Sequence, residues 1–187
     1  GAVEAADGLD RAIAAASAAV ETELARSRAA AIRDATDTQE SSPQRIAERV
    51  VGVVERTETG ARIVFEVEID EGLRAPIAED DLTEILGALI ENAARFARRR
   101  VRIAGAREHG LTLVVEDDGQ GLDISAETAL MRGGRLDEAG TAHHGLGLSI
   151  VRDLVEATAG EIALGHSAEL GGLRVALTWP QTRLADR

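Results

Sequence analysis

The stretch Val114-Val115-Glu116-Asp117-Asp118-Gly119-Gln120-Gly121-Leu122 limits what this chain can become more than any other. The apolar run at residues 111–115 reads as a strand that buries its side chains and then stops at two carboxylates and two closely spaced glycines. Glycine removes the side chain where the backbone must turn sharply or approach a ligand, and a neighbouring carboxylate accepts hydrogen bonds from an amino group. Asp117-x-Gly119-x-Gly121 therefore suits an adenine pocket. Ordinary strand-to-turn chemistry uses the same residue types, so the motif is weak when taken alone. A calcium loop fits worse, because alternating oxygen ligands and a closing bidentate Glu are missing.

The rest of the chain narrows the choice. Its 187 residues suit one domain with an appendage or one large domain, and a net charge of −12 argues against nucleic acid or an anionic membrane as main partner. No cysteine is present, which excludes disulfides and thiolate chemistry, and every fixed positive side chain is an arginine. No apolar stretch is long enough to span a bilayer and no signal peptide opens the chain, so it is read as soluble and cytoplasmic. The first residue is Gly1 rather than Met, which points to a piece of something longer.

Residues 9–33 are rich in alanine, with Leu9, Ile13, Ala16, Val20 and Leu24 three or four apart and Ala31 two turns further on. That spacing predicts one long helix with a narrow apolar stripe, suited to a coiled coil or bundle, or to packing on its own domain. Residues 34–42 read as a polar linker. Ser41 or Ser42 is placed to cap a second helix with Pro43 in its first turn and Ile46, Val50, Val53 and Val54 facing inward. The expected organisation is an N-terminal helical unit over residues 1–36 and a domain over residues 41–182.

In that domain, alternation over residues 61–69 predicts a half-buried strand, with a shorter one near residues 73–75. After Pro76, the acids Glu79, Asp80 and Asp81 mark a helix start, and Leu82, Ile85, Leu86, Leu89, Ile90 and Ala93 form its core face to about residue 98. Glu91, Asn92 and Arg95 stand out on it, the last two sharing a face that could meet an anion and its metal. Strands follow at residues 101–106 and 111–115, then an aperiodic stretch over residues 124–144 containing Arg132-Gly133-Gly134-Arg135 and His143-His144, read as a mobile loop. Gly145-Leu146-Gly147-Leu148 opens a helix running to a cap at Gly160, and a glycine-rich helix start offers N–H groups to phosphate. A dinucleotide fold is disfavoured, since no strand directly precedes Gly145 and Ile150 stands where the third glycine belongs. The last strands are expected at residues 161–165 and 173–179, with Gly171-Gly172 in the turn between them.

Together these motifs resemble those of the sensor histidine kinases. Glu84-Ile85-Leu86-Gly87-Ala88-Leu89-Ile90-Glu91-Asn92-Ala93-Ala94-Arg95-Phe96 resembles their N box, Asp117-Asp118-Gly119-Gln120-Gly121 their G1 box, and Gly145-Leu146-Gly147-Leu148-Ser149-Ile150-Val151 their G2 box, over about residues 43–180. The short lid with Arg132-Gly133-Gly134-Arg135 is most similar to the magnesium-sensing branch. The resemblance implies an α+β fold, the Bergerat-type two-layer α/β sandwich, with a mixed sheet of about five strands and three helices preceded by the long N-terminal helix. It implies ATP and Mg²⁺ as cofactors: Asn92 would ligate Mg²⁺, Asp117 would accept from the adenine amino group, and Glu91 would assist the attacking histidine. Arg95 would lie near the phosphates and Phe96 would flank the nucleotide. Gly119, Gly121 and Leu122 would complete the base loop, Gly145, Leu146, Gly147 and Leu148 would wrap the phosphates, and Arg132 or Arg135 would reach them from the lid. Implied partners are a response regulator and a histidine-bearing helix that the chain lacks; a parent anchored in the inner membrane is compatible with the resemblance.

The sequence departs from the family pattern at Ala88, where the first N-box asparagine belongs, at Leu130 for a lid phenylalanine and at His143 for the first G2 glycine. None of His109, His143, His144 and His166 has the context of the phosphoacceptor, and residues 9–33 resemble instead the second helix of the dimerisation hairpin, which points to homodimer formation. Two other readings stay open: a nucleotide-binding regulatory module that has lost catalysis, and an anti-sigma-type serine kinase on the same fold.

Overall fold

The computed structural model describes residues 40–108, 110–121 and 145–180, with Val20, Glu23, Leu24 and Ser27 besides. The reading of residues 9–33 as one continuous helix therefore lies outside the described residues, as do the turn at His109 and the loop at residues 124–144.

The first described helix, α1 (Pro43–Val54), starts with a proline whose missing N–H costs nothing there. Ser42 occupies the N-cap but its side chain makes no capping bond, contrary to the expected serine cap. The serines act through their backbone: Ser41 and Ala75 exchange N–H to O bonds of 3.0 Å, an isolated bridge where a short strand at residues 73–75 was expected. The inward face consists of Ile46, Ala47, Val50, Val51 and Val54. Val53, assigned to that face from its spacing, is 60% exposed, because the apolar stripe winds on through Val51 to Val54. At the helix end Gly60 lies over Val54, where a Cβ would fall 2.0 Å from the Val54 carbonyl oxygen, and only glycine permits that fold-back.

A 3₁₀ turn (Gly60–Arg62) takes the first residues of the expected strand, so β1 spans Val64–Ile69. Helix α2 (Glu79–Phe96) has three acids in its first turn, complementing the helix dipole, and buries Leu82, Ile85, Leu86, Leu89, Ile90, Ala93 and Ala94. It connects β1 to β2 (Arg100–Arg107), which pair in parallel, as a helical crossover requires. The remaining strands, β3 (Gly110–Asp117), β4 (Glu161–His166) and β5 (Leu173–Pro180), pair antiparallel, with α3 (Gly145–Ala157) between β3 and β4. Sheet order is β1-β2-β3-β5-β4. Helices and sheet form two layers, the α/β sandwich expected from the motifs, with Val101, Ile103, Leu111, Leu113, Val115, Val175, Leu177 and Trp179 meeting the helices' apolar faces. Truncating one of these side chains to Ala would cost roughly 2–5 kcal/mol.

The end of α3 fixes how it leaves the core. Ala159, rather than the expected Gly160, takes the left-handed conformation at φ 59°, and Gly160 N–H donates to Val155 O at 2.9 Å. Gly160 serves close packing instead: a Cβ there would sit 2.5 Å from Trp179 Nε1, which donates to Thr158 Oγ1 at 3.0 Å.

Candidate functional site

Strand β3 runs two residues further than its apolar run, so Asp117 is the last strand residue, paired with Val101 in β2, rather than part of the loop. That position buries it to 2% exposure. Its Oδ1 accepts from Gly119 N–H at 2.8 Å and from Leu173 N–H at 3.3 Å. Both bonds fall on the same oxygen, and among the described residues no hydrogen bond reaches Oδ2. Burial pushes the Asp117 carboxyl above its ordinary range, the two N–H groups draw it partly back, and the neighbouring Asp118 adds a further upward push.

The surroundings of Asp117 are built from missing side chains. A Cβ on Gly172 would lie 2.3 Å from Asp117 Oδ1, and one on Gly119 would lie 2.4 Å from the Phe96 carbonyl oxygen. Gly121 takes φ +72°, open to glycine without strain. The glycines thus let three backbone segments converge on one carboxylate: the end of β3, the end of α2 and the turn before β5.

Asp118 joins two of those segments. Its Oδ1 accepts from Arg98 N–H at 2.7 Å and Arg99 N–H at 3.0 Å, its Oδ2 from Arg99 N–H at 3.1 Å, and its own N–H donates to Arg100 O at 3.2 Å. Burial alone would raise its pKa, but the N–H groups of Arg99, Arg100 and Arg98 together outweigh that and hold it below 3.8. The link holds the residues after α2 against the loop that carries Gly119. On the other side Glu116 is buried and neutralised by Arg102 at 2.9 Å and Arg174 at 3.3 Å. Adjacent carboxylates thus have separate surroundings: Asp117 is held by backbone N–H groups of the glycine loop and of the β5 start, Asp118 by those after α2, and Glu116 by two arginines.

Of the other residues singled out in the sequence, Glu91, Asn92, Arg95 and Phe96 all lie on the last turns of α2, Glu91 and Arg95 exposed, Asn92 and Phe96 half-buried. Their helix ends at the Phe96 carbonyl, against which Gly119 packs, so the end of α2 lies beside the loop that follows Asp117. Gly145, Leu146 and Gly147 form the first turn of α3, and Leu148 joins the core at 3% exposure. Ala88, in the place of the N-box asparagine, is half-buried against the core. Leu122, Arg132 and Arg135, with Leu130 and His143, lie outside the described residues. Residues that sequence reading missed are Asp118, as a backbone brace, and Gly172, as a wall; for the second the signal was the Gly171-Gly172 pair.

Among the described residues no group of three or more His, Cys, Asp or Glu could hold a metal. An Asn92 amide oxygen is nonetheless a hard donor that suits Mg²⁺, which takes most of its shell from water and phosphate oxygens. No helix of the described residues is long and apolar enough to cross a membrane.

A family model described as histidine kinase-, DNA gyrase B-, and HSP90-like ATPase matches residues 77–183. The sensor protein kinase CarS of Pseudomonas aeruginosa is 46% identical over 111 residues, covering 58% of this chain and 24% of CarS. The two-component sensor PhoQ of the same species is 32% identical over 130 residues, covering 68% of this chain and 28% of PhoQ. The chain thus spans about a quarter of the length of these curated relatives. Among solved structures, the catalytic domain of histidine kinase ThkA superposes with a TM-score of 0.64 at 20% identity, covering 79% of this chain and 97% of that one. The Acinetobacter baumannii histidine kinase AdeS gives 0.65 at 19% identity, covering 88% and 77%. At such identities the likeness is one of fold.

Proposed function

This chain belongs to the histidine kinase-, DNA gyrase B-, and HSP90-like ATPase family, and on that premise we propose that it is the ATP-binding catalytic domain of a sensor histidine kinase. The observation that carries the reading is Asp117: a buried carboxylate with one oxygen held by two backbone N–H groups and the other left for a donor such as the adenine amino group. The relatives CarS and PhoQ, named as sensor kinase and two-component sensor, support the choice within the family.

The reaction moves the ATP γ-phosphoryl group to an imidazole nitrogen on a separate helix. A P–N bond forms as the bond to the ADP oxygen breaks, and Glu91 accepts the imidazole proton. Such transfers depend on alignment and charge neutralisation more than on covalent help. Asn92 would hold Mg²⁺, which supplies neutralisation of the phosphate oxygens when bound. Arg95 would add positive charge from one turn further along α2, Arg132 or Arg135 would add more, and the N–H groups of Gly145 and Gly147 at the start of α3 would bind anionic oxygens. Phe96 flanks the nucleotide. The phosphoryl group then passes to the aspartate of a response regulator. A domain over residues 41–182, a dimerising helical unit over residues 1–36, a cytoplasmic site and homodimer assembly complete the proposal.

The experiment is to add a dimerisation hairpin bearing the acceptor histidine, with γ-labelled ATP and Mg²⁺. Label on the hairpin's histidine is expected. Nucleotide binding without any label would favour the second reading, a regulatory module, for which the specific observation is Ala88 in the place of an N-box amide.

A further inference from the structure

We propose that Ser167 is a positioning residue for the adenine acceptor, acting through the turn between β4 and β5. The inference rests on the adenine reading of Asp117. Ser167 is fully buried, at 0% exposure, in a turn whose Ala168, Glu169 and Gly171 are exposed. All three of its hydrogen-bonding groups are used within that turn. Its N–H donates to Gly172 O at 2.8 Å, its carbonyl accepts from Gly171 N–H at 2.9 Å, and its Oγ accepts from Leu170 N–H at 3.0 Å. A hydroxyl that bonds a backbone N–H three residues on sets a turn in place of ladder bonds.

That turn delivers two of the groups against Asp117. Gly172 packs so closely that a Cβ would lie 2.3 Å from Oδ1 and 2.4 Å from the Asp117 carbonyl oxygen. Leu173 N–H, the next residue, donates to Oδ1 at 3.3 Å, already near the long limit for such a bond. A small displacement of the turn would break it and leave Oδ1 held by Gly119 N–H alone. Beside the turn's own backbone bonds, a further side-chain tether is the Arg102–Glu169 ion pair at 3.4 Å, whose Glu169 side chain is 60% exposed, a geometry that contributes little. Ser167 is therefore the side chain that, by shaping the turn, keeps the second donor, Leu173 N–H, on Oδ1 beside Gly119 N–H and so fixes the orientation of the carboxylate.

The test uses the whole chain and two probes, ATP and purine riboside triphosphate, which has hydrogen in place of the amino group. Binding of both is measured calorimetrically, with thermal melts alongside. The wild-type chain should prefer ATP by about tenfold or more, the value of a hydrogen bond to a charged group. Ser167→Ala should leave the purine analogue's affinity within about twofold and reduce the preference for ATP to about threefold or less, while Ser167→Thr, which keeps the hydroxyl, should restore it. Should Ser167→Ala fail to fold, Ser167→Cys fills the same space with a weak acceptor and should give the same loss. A residue that only stabilises the fold would lower the melting temperature without changing the preference, and that result would overturn the inference. A wild-type chain that binds both probes equally would instead refute the adenine reading itself.

Discussion

Replacing Asp118 by Ala removes the acceptor for two backbone N–H groups, those of Arg98 and Arg99, which approach at 2.7, 3.0 and 3.1 Å. Hydrogen bonds to a charged group contribute about 1.5–3 kcal/mol each, so a simple sum would approach ~6 kcal/mol. Both donors sit at an exposed rim, however, where water can take the carboxylate's place, and the expected loss is roughly 2 kcal/mol. Urea denaturation of wild type and variant at neutral pH measures it. The pH dependence gives a second, independent check. Folding lowers the Asp118 pKa below 3.8, so its contribution is fully present above the unfolded-state value and disappears as the pH falls through the folded-state value. The gap between the two proteins should therefore close on acidification. A gap under about 0.5 kcal/mol at neutral pH, or one that stays constant into the acid range, would refute this account of how α2 is tied to the base loop.

Other substitutions probe different parts of the structure. Gly172→Ala puts a methyl group 2.3 Å from Asp117 Oδ1 and should cost about 2–3 kcal/mol in urea denaturation together with nucleotide binding; a variant that binds normally would contradict the close approach. Ala159→Gly relieves a left-handed alanine at the end of α3 and should raise stability by about 1 kcal/mol, read as a higher melting temperature. Asn92→Ala, at a half-buried position, should leave the fold intact and abolish the strengthening of ADP binding by Mg²⁺, so an unchanged Mg²⁺ increment in calorimetry would remove Asn92 from the metal site.

The layers of this fold were legible because periodicity reports burial directly. The spacing of Leu82, Ile85, Leu86 and Leu89 gave the buried face of α2, and alternation through Leu111, Leu113 and Val115 gave the inward face of β3. The misses came where backbone bonding rather than apolar pattern decides. Val53 lost its place because Ala47 and Val51, less conspicuous, continue the stripe; Ser42 caps nothing; and a 3₁₀ turn replaced the start of β1. In the candidate site, residue types were enough to single out Asp117, Gly119 and Gly121. Asp118 and Ser167 were invisible as working parts, because their roles consist of bonds to N–H groups of residues whose identity is immaterial.

The most direct test of the nucleotide site is calorimetric titration of ADP and a non-hydrolysable ATP analogue, with Mg²⁺, into the wild-type chain and into Asp117→Asn. An amide at this position keeps the size but loses the charge, so the substitution isolates the acceptor. Saturable binding to wild type that weakens tenfold or more in the variant, about 1.4 kcal/mol, is the expected result. Equal titration curves for the two proteins would contradict the assignment of Asp117 as the adenine acceptor.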